Sequence, residues 1–388
     1  MQKNKIISLI FEIFANYIYR TIFSEQIKND EAEYMAIESF AKFLIENARE
    51  YGTSDIHILP NKEMYGLYFR LSGRMERQYT IDAEEGNRLI SYFKYLANLD
   101  VGERRRPQSG SLLYELTTDV FQDLRLSTIS NYQGQESLVI RLLEIQNERS
   151  LEDSALLPQE LNIMRRLIDY KSGLILFSGP VNSGKTTTMY QLVRNRMKNS
   201  RMQVISIEDP VEIKEDNFLQ IQVNEKAGNS YEESLKASLR HHPDVIIVGE
   251  IRDEETARMA IRGALTGHLI IASVHAKNAE GVVARMYELG ISFEMLQQTI
   301  LAIVFQKLVP IYCGLCERSC QLYCTHYPIN NKRAALYDVL TSKEIQTMDM
   351  SDVNHSKSNR SRSFNQLLKK VLTYGFISEE VYYQYYIP

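Results

Sequence analysis

The stretch that most constrains the fold is residues 173–188, GLILFSGPVNSGKTTT. Its apolar residues from Leu174 to Phe177 are typical of a short buried strand, and the residues after the stretch have the apolar spacing of a helix. Between them, residues 179–186 fit G-x-x-x-x-G-K-[ST] at every required position. A glycine-rich turn that binds nothing is the alternative. Strand, loop and helix in this order favour a loop that binds the phosphates of a nucleoside triphosphate.

The loop offers backbone N–H groups and two side chains suited to phosphate and Mg²⁺. Lys185 is long enough to reach the β- and γ-phosphate oxygens, and the Thr186 hydroxyl can ligate Mg²⁺. Asn182 stands where many such loops have glycine, and asparagine tolerates a positive φ better than most residues. We therefore predict that the loop binds a nucleoside triphosphate with Mg²⁺. The predicted nucleotide-binding residues are Gly179, Pro180, Asn182, Ser183, Gly184, Lys185, Thr186 and Thr187.

Composition is that of an ordinary globular protein with two or three domains. Of 388 residues, 44% are hydrophobic and 24% charged, and the formal net charge is −4. This acidic balance disfavours binding to nucleic acid through phosphate attraction, so we expect no direct nucleic-acid contact. The sequence has no apolar run long enough to span a membrane. All four cysteines lie between Cys313 and Cys324, which is typical of a metal site in a reducing compartment, and we predict a cytoplasmic protein.

The pattern of apolar and turn residues divides the chain into five segments. Residues 1–34 are a leader rich in Ile and Phe. One interpretation is an amphipathic helix that lies on a membrane or a partner. The alternative is an extra helix packed on the first domain, or residues that come from an upstream start site. Residues 35–146 are typical of a small α+β domain, and residues 147–160 of a polar linker. Residues 161–310 alternate strands with helices, which indicates an α/β domain with a parallel sheet. Residues 311–388 form a C-terminal region with the cysteine cluster and helices.

Acidic residues follow two strands of the predicted parallel sheet. Glu208 ends the strand QVISI, with Glu212 shortly after it, and Glu250 follows DVIIVG. Because the carboxyl ends of parallel strands share one edge, both sites should converge on the phosphate loop. Helix N-caps or surface positions are the alternative for these acids. His275, after the next strand, is a candidate contact of a γ-phosphate, and the alternative is a structural histidine.

Four stretches, in this order, resemble the Walker A, Asp, Walker B and His boxes of the type II secretion and type IV pilus traffic ATPases. They read GPVNSGKTTT, ISIEDPVE, LRHHPDVIIVGEIRDEETA and ALTGHLIIASVHAKNAEGVVARM. Upstream, SDIHILP, RRRPQSG and DLRLST with GQESLVIRLL resemble the arginine-bearing N-terminal domain of that family. The resemblance covers residues 35–310. It implies a RecA-like P-loop domain preceded by a small α+β, PAS-like domain.

The resemblance also implies roles for individual residues. It makes Glu208 the base that orients water, Glu250 the Walker B acid on the Mg²⁺ side, and His275 the γ-phosphate contact. Arg125 and Arg141 match the arginines that the N-terminal domain points at nucleotide, and the alternative for them is solvated strand ends. These five residues are the predicted catalytic set.

Departures from the family pattern indicate a subtype. Only about 34 residues precede the match, where secretion members have a large extra domain, and the family's PQDGR is here PQSGS, residues 107–111. This change leaves the charge contacts of that turn open. With the compact cysteine cluster, the chain looks most like the late competence ATPases of Gram-positive bacteria, which power a pseudopilus for DNA uptake.

The resemblance therefore implies a cytoplasmic ATP-hydrolysing motor that lies peripherally on the inner face of the cell membrane. It implies a homo-oligomer, a hexameric ring, and a polytopic inner-membrane assembly platform protein as partner. The alternatives are a pilus-retraction or type II secretion ATPase of the same family, and a nucleotide-binding scaffold with little hydrolysis. A DNA-translocating motor is a third alternative, which the acidic balance disfavours.

The cysteines have the spacing C-x2-C-x3-C-x3-C, which makes zinc a candidate further cofactor. Four thiolates satisfy tetrahedral Zn²⁺, and His326 is a spare ligand. If the segment is helical, Cys316, Cys320 and Cys324 share one face and Cys313 folds back toward them. The alternative is that the cysteines are small apolar packing residues.

Overall fold

The computed structural model describes residues 30–71, 73–143, 150–319, 326–327, 332–348 and 360–388. The chain divides into two compact units, Met1–Asn147 and Glu148–Pro388. Most of the predicted leader, residues 1–29, lies outside the described residues. Within the described ranges, no helix is both long and apolar enough to cross a membrane.

The first unit combines two helices with one antiparallel sheet. Its elements in chain order are α1 (Asp30–Glu50), β1 (Asp55–Asn61), β2 (Met64–Leu71), β3 (Arg74–Asp82), α2 (Ala83–Leu96), β4 (Gln108–Thr117), β5 (Val120–Ser130) and β6 (Glu136–Leu142). The sheet has the order β3-β2-β1-β6-β5-β4, and every neighbouring pair is antiparallel.

Alternation along these strands separates an apolar face from a polar one. In β1, Ile56 and Ile58 are fully buried, whereas Asp55 and His57 project from the opposite face. Helix α2 packs against β1, β2, β3 and β6, and it begins at Asp82, whose carboxylate accepts a hydrogen bond from a backbone N–H of its first turn. The prediction of a small α+β domain is confirmed.

The second unit is an α/β fold. Its elements in chain order are α3 (Leu151–Ser154), α4 (Pro158–Ile168), β7 (Gly173–Ser178), α5 (Lys185–Met197), β8 (Val204–Glu208), β9 (Leu219–Gln222), α6 (Tyr231–Ser238), β10 (Val245–Val248), α7 (Glu254–Leu265), β11 (Leu269–Ser273), α8 (Ala279–Glu288), α9 (Phe293–Thr299), β12 (Ile300–Pro310), β13 (Tyr312–Cys313), β14 (Arg318–Ser319), β15 (Arg333–Thr341), α10 (Ser342–Gln346), α11 (Phe364–Thr373) and α12 (Glu379–Tyr385).

The main sheet of this unit has the order β15-β12-β7-β11-β10-β8-β9. All pairs from β12 to β9 are parallel, and β15 runs antiparallel to β12. Strand β7 is buried along its whole length because both faces of the sheet are covered. Leu174 and Leu176 enter the core on one face, and Ile175 and Phe177 enter the core on the other. The prediction of an α/β domain with a parallel sheet is confirmed.

Two predicted segment boundaries differ from the structure. The described part of the predicted linker, residues 150–160, forms α3 and the start of α4, and Leu151, Leu156 and Leu157 are buried in the second unit. A single leucine followed by an adjacent pair fits neither the helical nor the strand period, so the polar residues around them dominate the pattern. The predicted C-terminal region, residues 311–388, is not separate either, because β15 pairs with β12 and extends the sheet.

Candidate active site

The loop after β7 takes a conformation that depends on residues tolerant of positive φ. Gly179, Asn182 and Gly184 have φ of 145°, 60° and 82°. A Cβ on Gly179 would lie 2.1 Å from the carbonyl oxygen of Gln306 on β12, so that position also needs glycine for space. Gly184 caps α5, whose N-terminus directs its unpaired N–H groups into the loop. The backbone thus forms an anion-binding concavity.

Lys185 and Thr186, the first residues of α5, project at the mouth of this loop. The Lys185 ammonium donates to the carbonyl oxygens of Gly179 and Pro180, at 3.0 and 3.1 Å. Burial lowers the pKa of Lys185, and the charges of Glu250 and Glu212 act in the opposite direction. These carbonyl contacts hold the ammonium inside the loop where phosphate oxygens would compete for it.

Glu250 and His275, which follow β10 and β11, meet at the same sheet edge. Nε2 of His275 lies 3.2 Å from one carboxylate oxygen of Glu250, and Arg252 donates to the other oxygen at 2.7 Å. The Ser178 hydroxyl, at the end of β7, accepts the backbone N–H of Ala276 at 3.1 Å. The segment that carries the histidine is therefore tied to the strand that carries the loop.

Glu208 does not have the surroundings expected of a water-orienting base. It is 4% exposed, and its carboxylate accepts a hydrogen bond from the Tyr190 hydroxyl, which itself accepts one from Gln220 at 2.8 Å. Burial raises the pKa of Glu208, while hydrogen bonds from Tyr190, Ser206 and the backbone N–H of Glu212 act in the opposite direction. A base must contact the water from which it takes a proton, and in this structure the carboxylate of Glu208 is enclosed by protein groups.

Glu212 has the exposed position at the loop that Glu208 lacks. Its carboxylate accepts a hydrogen bond from the Thr186 hydroxyl at 3.2 Å, and its side chain is open to solvent. The sequence contained the necessary signal, because Glu212 belongs to the same acidic stretch as Glu208. What the sequence pattern did not reveal is that Asp209 and Pro210 turn the chain between the two carboxylates.

In the first unit, Arg125 and Arg141 lie side by side on the polar face of the sheet. They are direct partners in the register of β5 and β6, and the same row continues to Asp55 on β1. Nε of Arg141 donates to the Asp55 carboxylate at 2.8 Å, and Nε of Arg70 lies 3.8 Å from its other oxygen. Antiparallel register thus places Arg70 and Arg141 on either side of one carboxylate that is 3% exposed, and Arg125 comes next in the row.

Two of the four cysteines lie in a hairpin, not in a helix. Strands β13 and β14 pair across a turn that contains Cys316, and the Sγ atoms of Cys313 and Cys316 each lie 3.5 Å from Nδ1 of His326. Zinc–sulfur and zinc–nitrogen bonds at a tetrahedral angle place sulfur and nitrogen about 3.6 Å apart, so the donors and their spacing fit zinc. Cys320 and Cys324 lie outside the described residues.

Comparison with known proteins identifies the family. The family described as type II/IV secretion system protein matches residues 30–379. The chain belongs to this family. A relative in the family, competence protein ComGA of Bacillus subtilis strain 168, is 38% identical over 347 residues, which cover 89% of this chain and 97% of that protein. The prediction of an ATP-hydrolysing enzyme of this family is confirmed.

The chain is also similar to a pilus assembly ATPase in sequence and to a solved ATPase structure in fold. Type IV pilus assembly ATPase TfpB of Acinetobacter baylyi is 36% identical over 295 residues, which cover 75% of this chain and 49% of that protein. Among solved structures, the ATPase DotB of Legionella pneumophila has a TM-score of 0.69 at 20% identity, covering 89% of this chain and 95% of that one. This likeness confirms the RecA-like fold.

Proposed function

We propose that this protein is the ATP-driven motor that assembles a competence pseudopilus for DNA uptake. The observation that carries the proposal is the convergence of Lys185, Thr186, Glu212, Glu250 and His275 at the carboxyl edge of the second sheet. The competence branch is supported by the 38% identity to competence protein ComGA over nearly its whole length.

Residues 179–187 bind the triphosphate of ATP in this proposal. Backbone N–H groups of the loop and the Lys185 ammonium contact the phosphate oxygens, and His275 contacts the γ-phosphate. Thr186 and Glu250 would hold Mg²⁺, which neutralises charge on the phosphates when it is bound. Binding of ATP draws Lys185 away from the carbonyl oxygens of the loop and toward the phosphates, since these carry full negative charge.

Glu212 orients the attacking water in this proposal, in place of Glu208. Its carboxylate is exposed and within hydrogen-bond distance of Thr186, so it borders the space where the terminal phosphate and the water meet. Glu208 then stabilises the position of Glu212, because its carboxylate accepts hydrogen bonds from Tyr190 of α5 and from the backbone N–H of Glu212.

Arg125 and Arg141 complete the site when the first unit closes over bound nucleotide. Guanidinium groups suit phosphate geometry, and an arginine supplied to a phosphoryl-transfer site is worth about 10³-fold or more in rate. We propose that this closure occurs within a homo-oligomeric, hexameric ring, where it changes subunit contacts and converts hydrolysis into movement. The ring acts on a polytopic platform protein at the inner face of the cell membrane, from the cytoplasm.

The deciding experiment is a chromosomal Lys185→Ala substitution in the source bacterium, with Lys171→Ala as the control. The strain should lose uptake of external DNA and surface pseudopili while growth continues at its normal rate. Lys171 is an exposed lysine outside the loop, so its substitution should change neither DNA uptake nor the formation of pseudopili. Normal transformation with Lys185→Ala would place the protein in the pilus-retraction or secretion branch of the family.

A further inference from the structure

Gln306 lies on β12 directly beside the phosphate loop and is 1% exposed. Phe305 of β12 pairs with Ser178 at the end of β7, so Gln306 comes level with Gly179. The carbonyl oxygen of Gln306 occupies the place where a Cβ on Gly179 would lie. The backbone of β12 therefore forms one wall of the loop.

The Gln306 side chain reaches the other half of the loop. Its Nε2 donates to the carbonyl oxygen of Ser183 at 2.7 Å, in a buried contact. In the described part of the chain, Oε1 of Gln306 and Oγ of Ser183 have no hydrogen-bond partner. Burying a carboxamide with one end unpaired is costly, and a core strand would normally place an apolar residue there. The donor end of this side chain must therefore contribute more than packing.

The planarity of the peptide bond explains what the donor end achieves. The carbonyl of Ser183 and the N–H of Gly184 belong to one trans peptide plane and point in opposite directions. When Nε2 of Gln306 holds the carbonyl on one side, the N–H on the other side is directed into the loop. Gly184 has a φ of 82° and no Cβ, so little else restricts the rotation of this plane.

We propose that Gln306 is a positioning residue that aims the Gly184 N–H at the phosphates of bound ATP. The proposal rests on the proposed function of residues 179–187 as the phosphate-binding loop. The N–H contacts phosphate both in the bound ground state and in the transition state, so its loss raises KM and leaves kcat largely unchanged. A hydrogen bond to a charged group is worth about 10-fold to 100-fold in affinity.

Steady-state ATP hydrolysis by the full chain with Gln306→Met or Gln306→Glu tests this role. Methionine matches the volume without a donor, and glutamate matches the shape but sets an oxygen against the Ser183 carbonyl. We expect KM for ATP to rise about tenfold with methionine and further with glutamate, with kcat within about threefold of the wild type. Gln122→Met is the control, because Gln122 is 3% exposed and donates to a backbone carbonyl in the first unit.

Each remaining outcome contradicts a defined part of the proposal. An unchanged KM in both Gln306 variants overturns the inference. A lower kcat at unchanged KM, with the same loss of melting temperature as Gln122→Met, also overturns it, since that pattern reports less folded enzyme. Binding of a fluorescent ADP analogue by Lys185→Ala separates the two proposals. Wild-type affinity there would refute the loop assignment itself, whereas lost affinity there with normal Gln306 variants would refute only the inference.

Discussion

The carboxyl edge of the second sheet and the polar face of the first sheet both gather charged side chains, but by different means. At the edge, parallel strands end together, and the residues that follow them meet across β7, β8, β10 and β11. On the polar face, antiparallel register lines up Arg70, Asp55, Arg141 and Arg125 across four strands. Parallel ends therefore build a concave site, and antiparallel register builds a row.

The two clusters also differ in how their charges are satisfied. Asp55 is nearly inaccessible and lies against the guanidinium groups of Arg141 and Arg70, so its charge is balanced within the unit. At the edge, Lys185 is satisfied by carbonyl oxygens of the loop, which are weaker partners than phosphate. This difference indicates that the edge is arranged to receive an anion, whereas the carboxylate in the row already has its countercharges.

The largest expected effect is at the edge. Lys185→Ala should reduce ATP turnover to background, because the loop loses the only ammonium that the structure places against its carbonyl oxygens within the described residues. Phosphate release from the purified protein measures this. Turnover within tenfold of the wild type would show that the edge does not depend on this charge. The edge would then not differ from the row in its need for an anion.

The next effect tests whether the arginine row serves the edge. Arg125→Ala and Arg141→Ala should each lower turnover by about 10³-fold while ADP affinity changes little, since arginine stabilises charge that develops during transfer. Specific activity of the wild type should rise with protein concentration if neighbouring subunits complete the site. Full activity in both variants would refute closure, and concentration-independent activity of a stable monomer would refute the ring.

The row predicts a difference between these two variants in stability. Arg141→Ala leaves the buried carboxylate of Asp55 with the hydrogen bond from the Ser54 hydroxyl, at 2.9 Å, and with Arg70 at 3.8 Å. Because the closest countercharge is lost, we expect a loss of about 1–3 kcal/mol in the free energy of unfolding. Asp55→Asn with Arg141→Ala should recover part of that loss, because the uncompensated charge is removed. Denaturant unfolding of the two variants, compared with the wild type, measures the loss and its recovery.

Within the edge, the two neighbouring glutamates should behave differently. Glu212→Gln should lower kcat at least about 100-fold with ADP binding intact, because it removes the proposed water-orienting carboxylate. Glu208→Gln should act mainly through the hydrogen bond to Tyr190, and we expect a smaller loss of kcat together with a lower melting temperature. A wild-type rate in Glu212→Gln with a large loss in Glu208→Gln would restore Glu208 as the base.

Structural features that depend on local contacts could be predicted from the sequence, whereas those that depend on long-range contacts could not. The loop of residues 179–186, the strand before it and the helix after it are contiguous, so backbone chemistry alone predicts them. Glu250 and His275 were also predictable, because parallel strands must end at one edge. The burial of Glu208 against Tyr190 could not be predicted, because no spacing rule encodes that contact. The pairing of β15 with β12 and the buried Gln306 are likewise set by long-range contacts.

The smallest expected effect lies away from both clusters, at the hairpin of β13 and β14. Cys313 is buried, and its sulfur, that of Cys316 and Nδ1 of His326 lie close enough together to bind one metal ion, with Cys320 and Cys324 as further thiols in the sequence. The backbone N–H of Tyr312 also donates to a carbonyl near α12 at 2.8 Å, so a metal here would brace the C-terminal helices.

We therefore expect about one Zn²⁺ per chain in protein purified without chelator. Cys316→Ser should lose the metal and lower the melting temperature of the C-terminal helices, because metal binding contributes directly to folding free energy. Its kcat should stay near the wild-type value, since none of the proposed catalytic groups lies in the hairpin. Ser319→Ala, in the same hairpin, is the control and should keep the metal. Elemental analysis measures the zinc content. A content near zero in the wild type would mean that the two thiols and the imidazole are packing and hydrogen-bonding groups. Cys316→Ser would then behave like the control.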